Sequence, residues 1–401
     1  MKFKFAHIAD IHIGSYQGKV EVGGLNSRFL DFVKTFHESI GRAISDSVDF
    51  CIIAGDIFKS KTPTPEEVNE FAKGIMSLMK AKIPTVVVLG NHDLFLADNR
   101  THSIGVLQTL LQNEENFIIS REPEVVRLKT KSGEVQVQTM PYPIRSVLKL
   151  EKNEDVAKYV EDKTNELYSS LDKKIPSIYV GHFTLSDAKV GDEKRYVDQF
   201  SEPVINIGIF RGKKYAYVAM GHIHKFQELM KDPIVVYAGS NNRVDFNEAS
   251  EKKGFVMVTV EDGETKYEFI KVQARKFSDL KYNLEKEEDP TAIVLGDIES
   301  KSGEIKDSIV RIEVILSEES YIKYNSSAVA QKLGELSYWI HGSCIPVVRK
   351  KNLSRESLGF SESMDELQAL KHFASVNNIK NEDTFMKYGE SIIKESMVSE
   401  D

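Results

Sequence analysis

Seven side chains able to ligate a divalent metal fall in five short signatures. These are Asp10-Ile11-His12, Gly55-Asp56, Gly90-Asn91-His92-Asp93, Gly181-His182 and Gly221-His222-Ile223-His224. Asp10, His12, Asp56, Asn91, His182, His222 and His224 supply two carboxylates, one amide and four imidazoles. Oxygen and nitrogen donors without thiolate suit hard or borderline divalent ions such as Mn²⁺, Fe²⁺ or Zn²⁺. One ion needs roughly three or four protein ligands, so seven suggest two ions sharing a carboxylate. Paired ions about 3.5–4 Å apart are the usual clamp for in-line displacement at phosphorus. Singly, each signature is weak: a Gly-Asp after a strand is often only a turn. Together they are specific, because they hold five of the ten histidines. His7, His37, His102, His341 and His372 lie outside them and read as structural.

These residues must be brought to one place. Four signatures directly follow apolar runs, residues 50–54, 85–89, 177–180 and 215–220, and the first closes the run 3–9. Such runs read as buried strands, and they alternate with amphipathic stretches such as 28–45. Thr64-Pro65-Glu66-Glu67 is a helix start with a capping box. Strands alternating with helices imply an α/β layered domain, which puts all five signatures on loops at the carboxyl ends of strands. The later runs 234–237, 254–260 and 266–272 read as hairpin-linked strands. A charged linker, 284–289, leads to a small β-α-β unit with strand-like 308–316, helix-like 327–339 and strand-like 344–349. Residues 353–401 read as two short helices. Ser363 to Glu366 forms a capping box, with Met364, Leu367, Leu370 and Phe373 at helical spacing. Phe385, Gly389, Ile392, Ile393 and Met397 share a second stripe.

Composition bounds the class. The chain has 401 residues, 41% hydrophobic and 28% charged, enough for two or three packed domains and too apolar for disorder. No apolar run approaches the ~20 residues of a membrane helix. The N-terminus, which opens straight into strand-like sequence, lacks the features of a secretory signal. Two cysteines exclude a disulfide scaffold and make a reducing cytoplasm the expected setting. A net charge of −8 excludes a free-standing basic DNA-binding module, but not nucleic acid held through metal or a partner. The tail from Asn352 carries more acidic than basic residues, so its stripes suit its own core or another protein's helices.

In this order the five signatures resemble the calcineurin-like metallophosphoesterases. A narrower resemblance, to SbcD and Mre-eleven-type DNA double-strand-break repair nucleases, rests on three stretches. They are Phe5-Ala6-His7-Ile8-Ala9-Asp10-Ile11-His12-Ile13-Gly14, Gly55-Asp56-Ile57-Phe58 and Tyr237-Ala238-Gly239-Ser240. The resemblance implies an α/β fold, a metallophosphoesterase layered β-sandwich flanked by helices, over residues 1–275. It further implies a small α+β capping domain at 290–352, forming a DNA-binding lid, and a C-terminal helical segment at 353–401. It implies a first metal, manganese being expected, on Asp10, His12, Asp56 and His224, and a second on Asp56, Asn91, His182 and His222. His92 would contact the phosphate and assist the leaving oxygen, with Asp93 orienting its ring, unless Asp93 only caps a helix. Lys59 stands where one branch of the family has a substrate-contacting histidine. It would bind substrate by point charge, or be a plain solvated loop residue.

The implied activity is a 3′–5′ double-strand exonuclease and single-strand or hairpin endonuclease, serving repair, recombination or replication. The implied partners are DNA and an SbcC or Rad-fifty-type coiled-coil ATPase, with a homodimer inside a heterotetramer, in the cytoplasm or a host's cytoplasm. The alternative is a nucleotide or small-molecule phosphodiesterase, which has little need of the residues beyond 290. An inactive scaffold would be expected to lose His92 or a ligand.

Overall fold

The computed structural model describes residues 1–21, 23–94, 102–189, 202–348, 364–376, 379 and 381–398. Two compact units emerge. The first comprises Met1–Lys281, Ile293–Glu313 and Ser326–Cys344, the second Tyr282–Ala292, Val314–Asn325 and Ile345–Asp401.

Two six-stranded sheets form the centre of the first unit. One runs, edge to edge, Glu264–Lys271, Gly254–Glu261, Lys2–Ile8, Phe50–Ala54, Thr85–Val88 and Phe117–Ser120. The other runs Gln227–Lys231, Ile234–Tyr237, Tyr217–Gly221, Ser177–His182, Gly133–Met140 and Glu124–Thr130. The strands carrying the five signatures are central in both sheets and buried on both faces, which explains their unbroken apolar runs. Alternate residues feed separate cores. Phe3, Phe5, Phe50, Ile52, Val86 and Val88 meet Ile178, Val180, Tyr217 and Ala219 between the sheets. Phe5 stacks on Phe50 at 4.7 Å and meets the Tyr217 ring edge-on at 5.7 Å. Burying each such ring contributes about 1.5–3 kcal/mol. Ala6, Ile8, Cys51, Ile53 and Val87 face the other way, onto Phe36 and Phe71 of the helices Ser27–Ser45 and Pro65–Lys80. On the far side of the second sheet, Tyr179, Val218 and Met220 pack with Val160 of the helix Asn153–Ser170.

The capping box at Thr64 has both arms, Glu67 N to Thr64 Oγ1 at 3.3 Å and Thr64 N to Glu67 Oε2 at 2.9 Å. The late strands need a correction. Gly254–Glu261 and Glu264–Lys271 form a hairpin, through Asp262 and Gly263, both at positive φ as a two-residue turn of matching twist requires. Ile234–Tyr237 belongs to the other sheet, parallel to Tyr217–Gly221 and antiparallel to Gln227–Lys231, so the chain crosses between sheets after Tyr237.

Also in the first unit, the helix Ser326–Leu336 buries Val329 and Leu333 and leads into Trp339–Ile340, paired parallel with Ile309 and Val310. Trp339, expected at a helix end, is therefore a strand residue. In the second unit, Ile315 and Leu316 pair with Val347 and Val348. Its helices Glu366–Val376 and Glu382–Val398 pack together, with Phe373 and Phe385 stacked at 6.2 Å. Ser363 lies outside the described residues. The first of these helices is capped instead by Asp365, whose Oδ1 accepts from Gln368 N at 2.7 Å while Gln368 Oε1 accepts from Asp365 N at 3.3 Å. Among the described residues, no helix is long and apolar enough to cross a membrane.

Candidate metal centre

The five signatures converge on one cluster of donors, part of which lines a cavity. Their loops are tied to each other by backbone bonds: Asp10 N to Gly55 O at 3.1 Å, His12 N to Asp56 O at 3.0 Å and Ile13 N to Ile57 O at 2.9 Å. Carboxylates tie the remaining loops. The His222 amide donates to both oxygens of Asp10, at 2.9 and 3.1 Å, and the His92 amide to Asp56 Oδ1 at 2.9 Å. Asp10, His12, Asp56 and His222 all sit at positive φ, 49°, 51°, 51° and 97°. Such backbone costs about 1–3 kcal/mol per residue and persists only where the surroundings impose it. The signature glycines are there for close approach: a Cβ at Gly221 would strike the Ala54 carbonyl oxygen, and one at Gly90 the Asp56 carboxylate.

Outer partners set which ring nitrogens face inward. His182 Nδ1 donates to the Ala54 carbonyl at 2.7 Å, His222 Nε2 to Glu202 at 3.0 Å and His224 Nδ1 to Glu248 at 2.8 Å. Each therefore turns its other nitrogen, as a lone pair, into the site. The consequence is a crowd of acceptors. His12 Nε2 and His224 Nε2 lie 3.0 Å apart, and Asn91 Oδ1 lies 3.2 Å from His182 Nε2 and 3.1 Å from His222 Nδ1. Asp56 Oδ2 lies 3.3 Å from His182 Nε2 and 3.7 Å from His12 Nε2. Lone pairs facing lone pairs need a cation between them. Three overlapping clusters result: Asp10, His12 and His224; His12, Asp56 and His92; Asp56, His182 and His222. The donor set fits two divalent ions.

The charge field agrees. Burial pushes the Asp10 carboxyl up, while Asp56 stays well below the usual range, because His182 and its other imidazole neighbours outweigh burial. Burial alone would lower His182, but the Asp56 carboxylate raises it to about 9. Burial, then His224, holds His12 well below its ordinary value. Without a cation, a proton on His182 is thus the substitute, and an entering ion would expel it. The cavity, about 290 Å³, is walled by Asp56, Glu202, Asp245, Glu248 and Glu251, with Lys59 as the one lysine among the described lining residues. A phosphate would be repelled there until cations bind.

Three residues need separate placement. His92 lies edge-on to His12 at 5.0 Å, with Nδ1 donating to the Lys59 carbonyl at 2.9 Å. Asp93 does not hold that ring. Its buried carboxylate accepts from Gly90 N at 2.9 Å, Ile57 N at 3.1 Å and Ser103 Oγ at 3.3 Å, clamping the two ligand loops. Burial and the nearby Asp56 raise it to about 6. Lys59 is exposed, its Nζ donating to the Ser15 carbonyl at 2.6 Å and lying 4.3 Å over the Tyr16 ring, so its side chain faces a neighbouring loop while its backbone serves His92.

The outer partners are not legible as motifs. Glu248 joins His224 to Lys253, whose Nζ is fully buried 2.6 Å away, and Glu202 joins His222 to the Tyr142 hydroxyl at 3.2 Å. Only the polar stretch after the strand Ile234–Tyr237, ending in Asp245-Phe246-Asn247-Glu248, marks one of them in the sequence.

The sequence profile described as Calcineurin-like phosphoesterase matches residues 3–226, a span that holds all seven donors and His92. The chain belongs to the calcineurin-like phosphoesterases. Members of this family use a binuclear metal site, which the donor geometry accommodates. This phosphoesterase is similar to the DNA double-strand break repair protein Mre11 of Archaeoglobus fulgidus, at 28% identity over 301 residues, 69% of this chain and 61% of that one. It is similar to the protein of the same description from Thermoplasma acidophilum, at 25% over 272 residues, 67% and 65%. It also matches the SbcD component of the nuclease SbcCD from Staphylococcus epidermidis, at 24% over 274 residues, 65% and 67%. The phosphoesterase thus spans just under two thirds of the length of the two Mre11 relatives.

Proposed function

We propose that this phosphoesterase is the divalent-metal-dependent DNA nuclease component of a complex with a coiled-coil ATPase. The observation that carries the reading is Asp56, whose carboxylate joins the His12 and His92 cluster to the His182 and His222 cluster. In this reading Asp10, His12, Asp56 and His224 hold one ion, and Asp56, Asn91, His182 and His222 the other. When bound, two such ions neutralise the phosphodiester and supply an activated water at neutral pH. The chain's own residues do the rest. The Lys59 carbonyl fixes His92 Nδ1, leaving Nε2 to donate to the departing oxygen when the ring carries its second proton. Asp93 holds the loops of Asp56 and His92 at a fixed spacing. DNA as substrate is supported by the relatives, two described as break-repair proteins and one as part of a nuclease.

The further reading is a manganese enzyme that degrades duplex ends from the 3′ side and cuts single strands or hairpins internally. Residues 1–275 would carry catalysis and 290–352 a DNA-binding lid. The helices Glu366–Val376 and Glu382–Val398 would receive an SbcC or Rad-fifty-type ATPase, two copies of each chain forming the assembly. Leu367, Phe373 and Ile392 are exposed on those helices. A labelled hairpin DNA, digested with and without Mn²⁺ and the ATPase, tests this. Cutting that requires Mn²⁺ and His92 is expected. Hydrolysis of nucleotide diesters with no DNA cutting, even with the ATPase present, would overturn it.

A further inference from the structure

A second cavity, of about 400 Å³, lies in the first unit and shares a wall with the metal cavity. Tyr16, Lys59, Val244, Asp245 and Asn247 line both. Beyond that wall the lining turns aromatic. Trp339 meets His341 edge-on with centroids 5.5 Å apart, His341 lies 5.1 Å from Phe246, and Phe246 lies 4.7 Å from Phe277. Arg311 covers Phe246 at 4.5 Å, held there by two 2.8 Å bonds to Asp279 that also neutralise its charge. Phe246 is buried, but Trp339, His341 and Phe277 are only half-buried and border the cavity. The size is that of a small-ligand pocket, roughly 300–1,000 Å³.

The two cavities differ in chemistry. One is a carboxylate-rich donor cluster suited to cations and, through them, to a phosphate. The other offers flat, polarisable ring faces beside Arg28 and Arg311, which are paired with Asp31 and Asp279. A nucleic-acid strand alternates the same two features, an anionic diester and a flat base. Every base has a π-face, so stacking binds without regard to sequence. A base inside a duplex has both faces covered, so only an unpaired one could enter.

We propose that the Trp339–His341–Phe246 cavity is a stacking subsite for an unpaired nucleobase flanking the scissile phosphate. This rests on the nucleic-acid reading of the metal centre. It makes Trp339 a substrate-binding residue and favours single strands, frayed ends and hairpin loops over closed duplex.

Trp339 is the chain's single tryptophan, so emission excited selectively at tryptophan, apart from the 15 tyrosines, reports on this place alone. A short oligothymidylate, titrated into the Mn²⁺-loaded His92→Ala protein to prevent turnover, should quench the emission saturably. An abasic strand of equal phosphate length should bind, by anisotropy of an end label, without quenching. In turnover with His92 intact, Trp339→Ala should raise KM for the oligothymidylate roughly 5- to 150-fold, the range of one lost base stack. It should leave KM for the abasic strand unchanged, and Trp339→Phe should recover most of the loss. Equal quenching by both strands, or equal KM changes on both, would overturn the subsite while leaving the nuclease reading intact. A wild-type protein that neither binds nor cuts either strand would sink both readings.

Discussion

Glu248→Gln tests whether the partners behind the ligands matter as much as the ligands. The Glu248 carboxylate accepts from His224 Nδ1 at 2.8 Å and from the Val244 amide at 3.1 Å, and pairs with the Lys253 ammonium at 2.6 Å. Glutamine keeps the shape but offers one oxygen for three donors, and with that oxygen on His224 its NH₂ group meets the Val244 amide and the ammonium. Breaking a buried pair costs roughly 3–5 kcal/mol when the surviving charge is orphaned. Lys253 is not orphaned, since Glu251 stays 2.8 Å away and Ser240 Oγ 2.9 Å away, so about 2 kcal/mol is expected. For a chain this long, that is a fall in melting temperature of about 2–3 °C. The loss at the metal is separate. An imidazole deprived of its carboxylate partner typically binds metal about 10- to 100-fold more weakly. Because His224 is assigned to one ion, calorimetric Mn²⁺ titration should resolve one weakened and one unchanged site. Lys253→Met should destabilise comparably, yet leave Glu248 on His224 and both affinities within a few-fold. Two sites of unchanged affinity in Glu248→Gln would refute the argument that this carboxylate sets the tautomer and basicity of His224.

Asp56→Ala should lose both ions, measured as metal per chain after dialysis, whereas Asp10→Asn, which preserves an acceptor for the His222 amide, should lose mainly one; full loading of Asp56→Ala would end the bridging assignment. His92→Ala should keep both ions and lose about 10²- to 10⁴-fold in turnover, the usual contribution of a positioned proton donor. His7 is buried three residues before Asp10, bonded to the Tyr217 hydroxyl at 3.2 Å, and burial lowers its pKa from the ordinary 6.5 to about 3. Its folded-state ring stays neutral while the unfolded chain takes up the proton, so stability present above about pH 6.5 is lost as pH falls toward 3. The loss is about 2–3 kcal/mol at pH 4.5, and chemical denaturation of His7→Asn at pH 7.5 and 4.5 should show a pH difference smaller by that amount. An equally steep pH dependence in the variant would show that His7 is not responsible.

The strands and their loops can be read from the sequence because each is a local pattern, an apolar run closed by glycine and a ligand. That alone locates Asp10, Asp56, Asn91, His182 and His222, since each stands at or just past the carboxyl end of a strand, three in one sheet and two in the other. Glu202 and Glu248 cannot be read so, because each acts across a turn of chain whose path only the completed fold defines. Asp93 shows the opposite failure. Adjacency to His92 suggests a bond between them, but the tight turn from Gly90 aims the carboxylate back at its own loop and across to Ile57. Ile234–Tyr237 is misread as linked to Gly254–Glu261, because its true hairpin partner, the preceding Gln227–Lys231, is a mixed polar stretch with no strand pattern of its own. The long polar stretch that follows it, too long for a hairpin loop, is the deciding clue.

The left-handed backbone at Asp10, His12, Asp56 and His222 places strain on the ligands themselves. At His12 and His222 glycine would relieve strain while removing a ligand, whereas at Asp10 and Asp56 it would also strip the acceptor of the His222 and His92 amides. Selection for melting temperature alone would thus favour loss of His12 and His222. These four residues must therefore be held fixed in any library built on this scaffold.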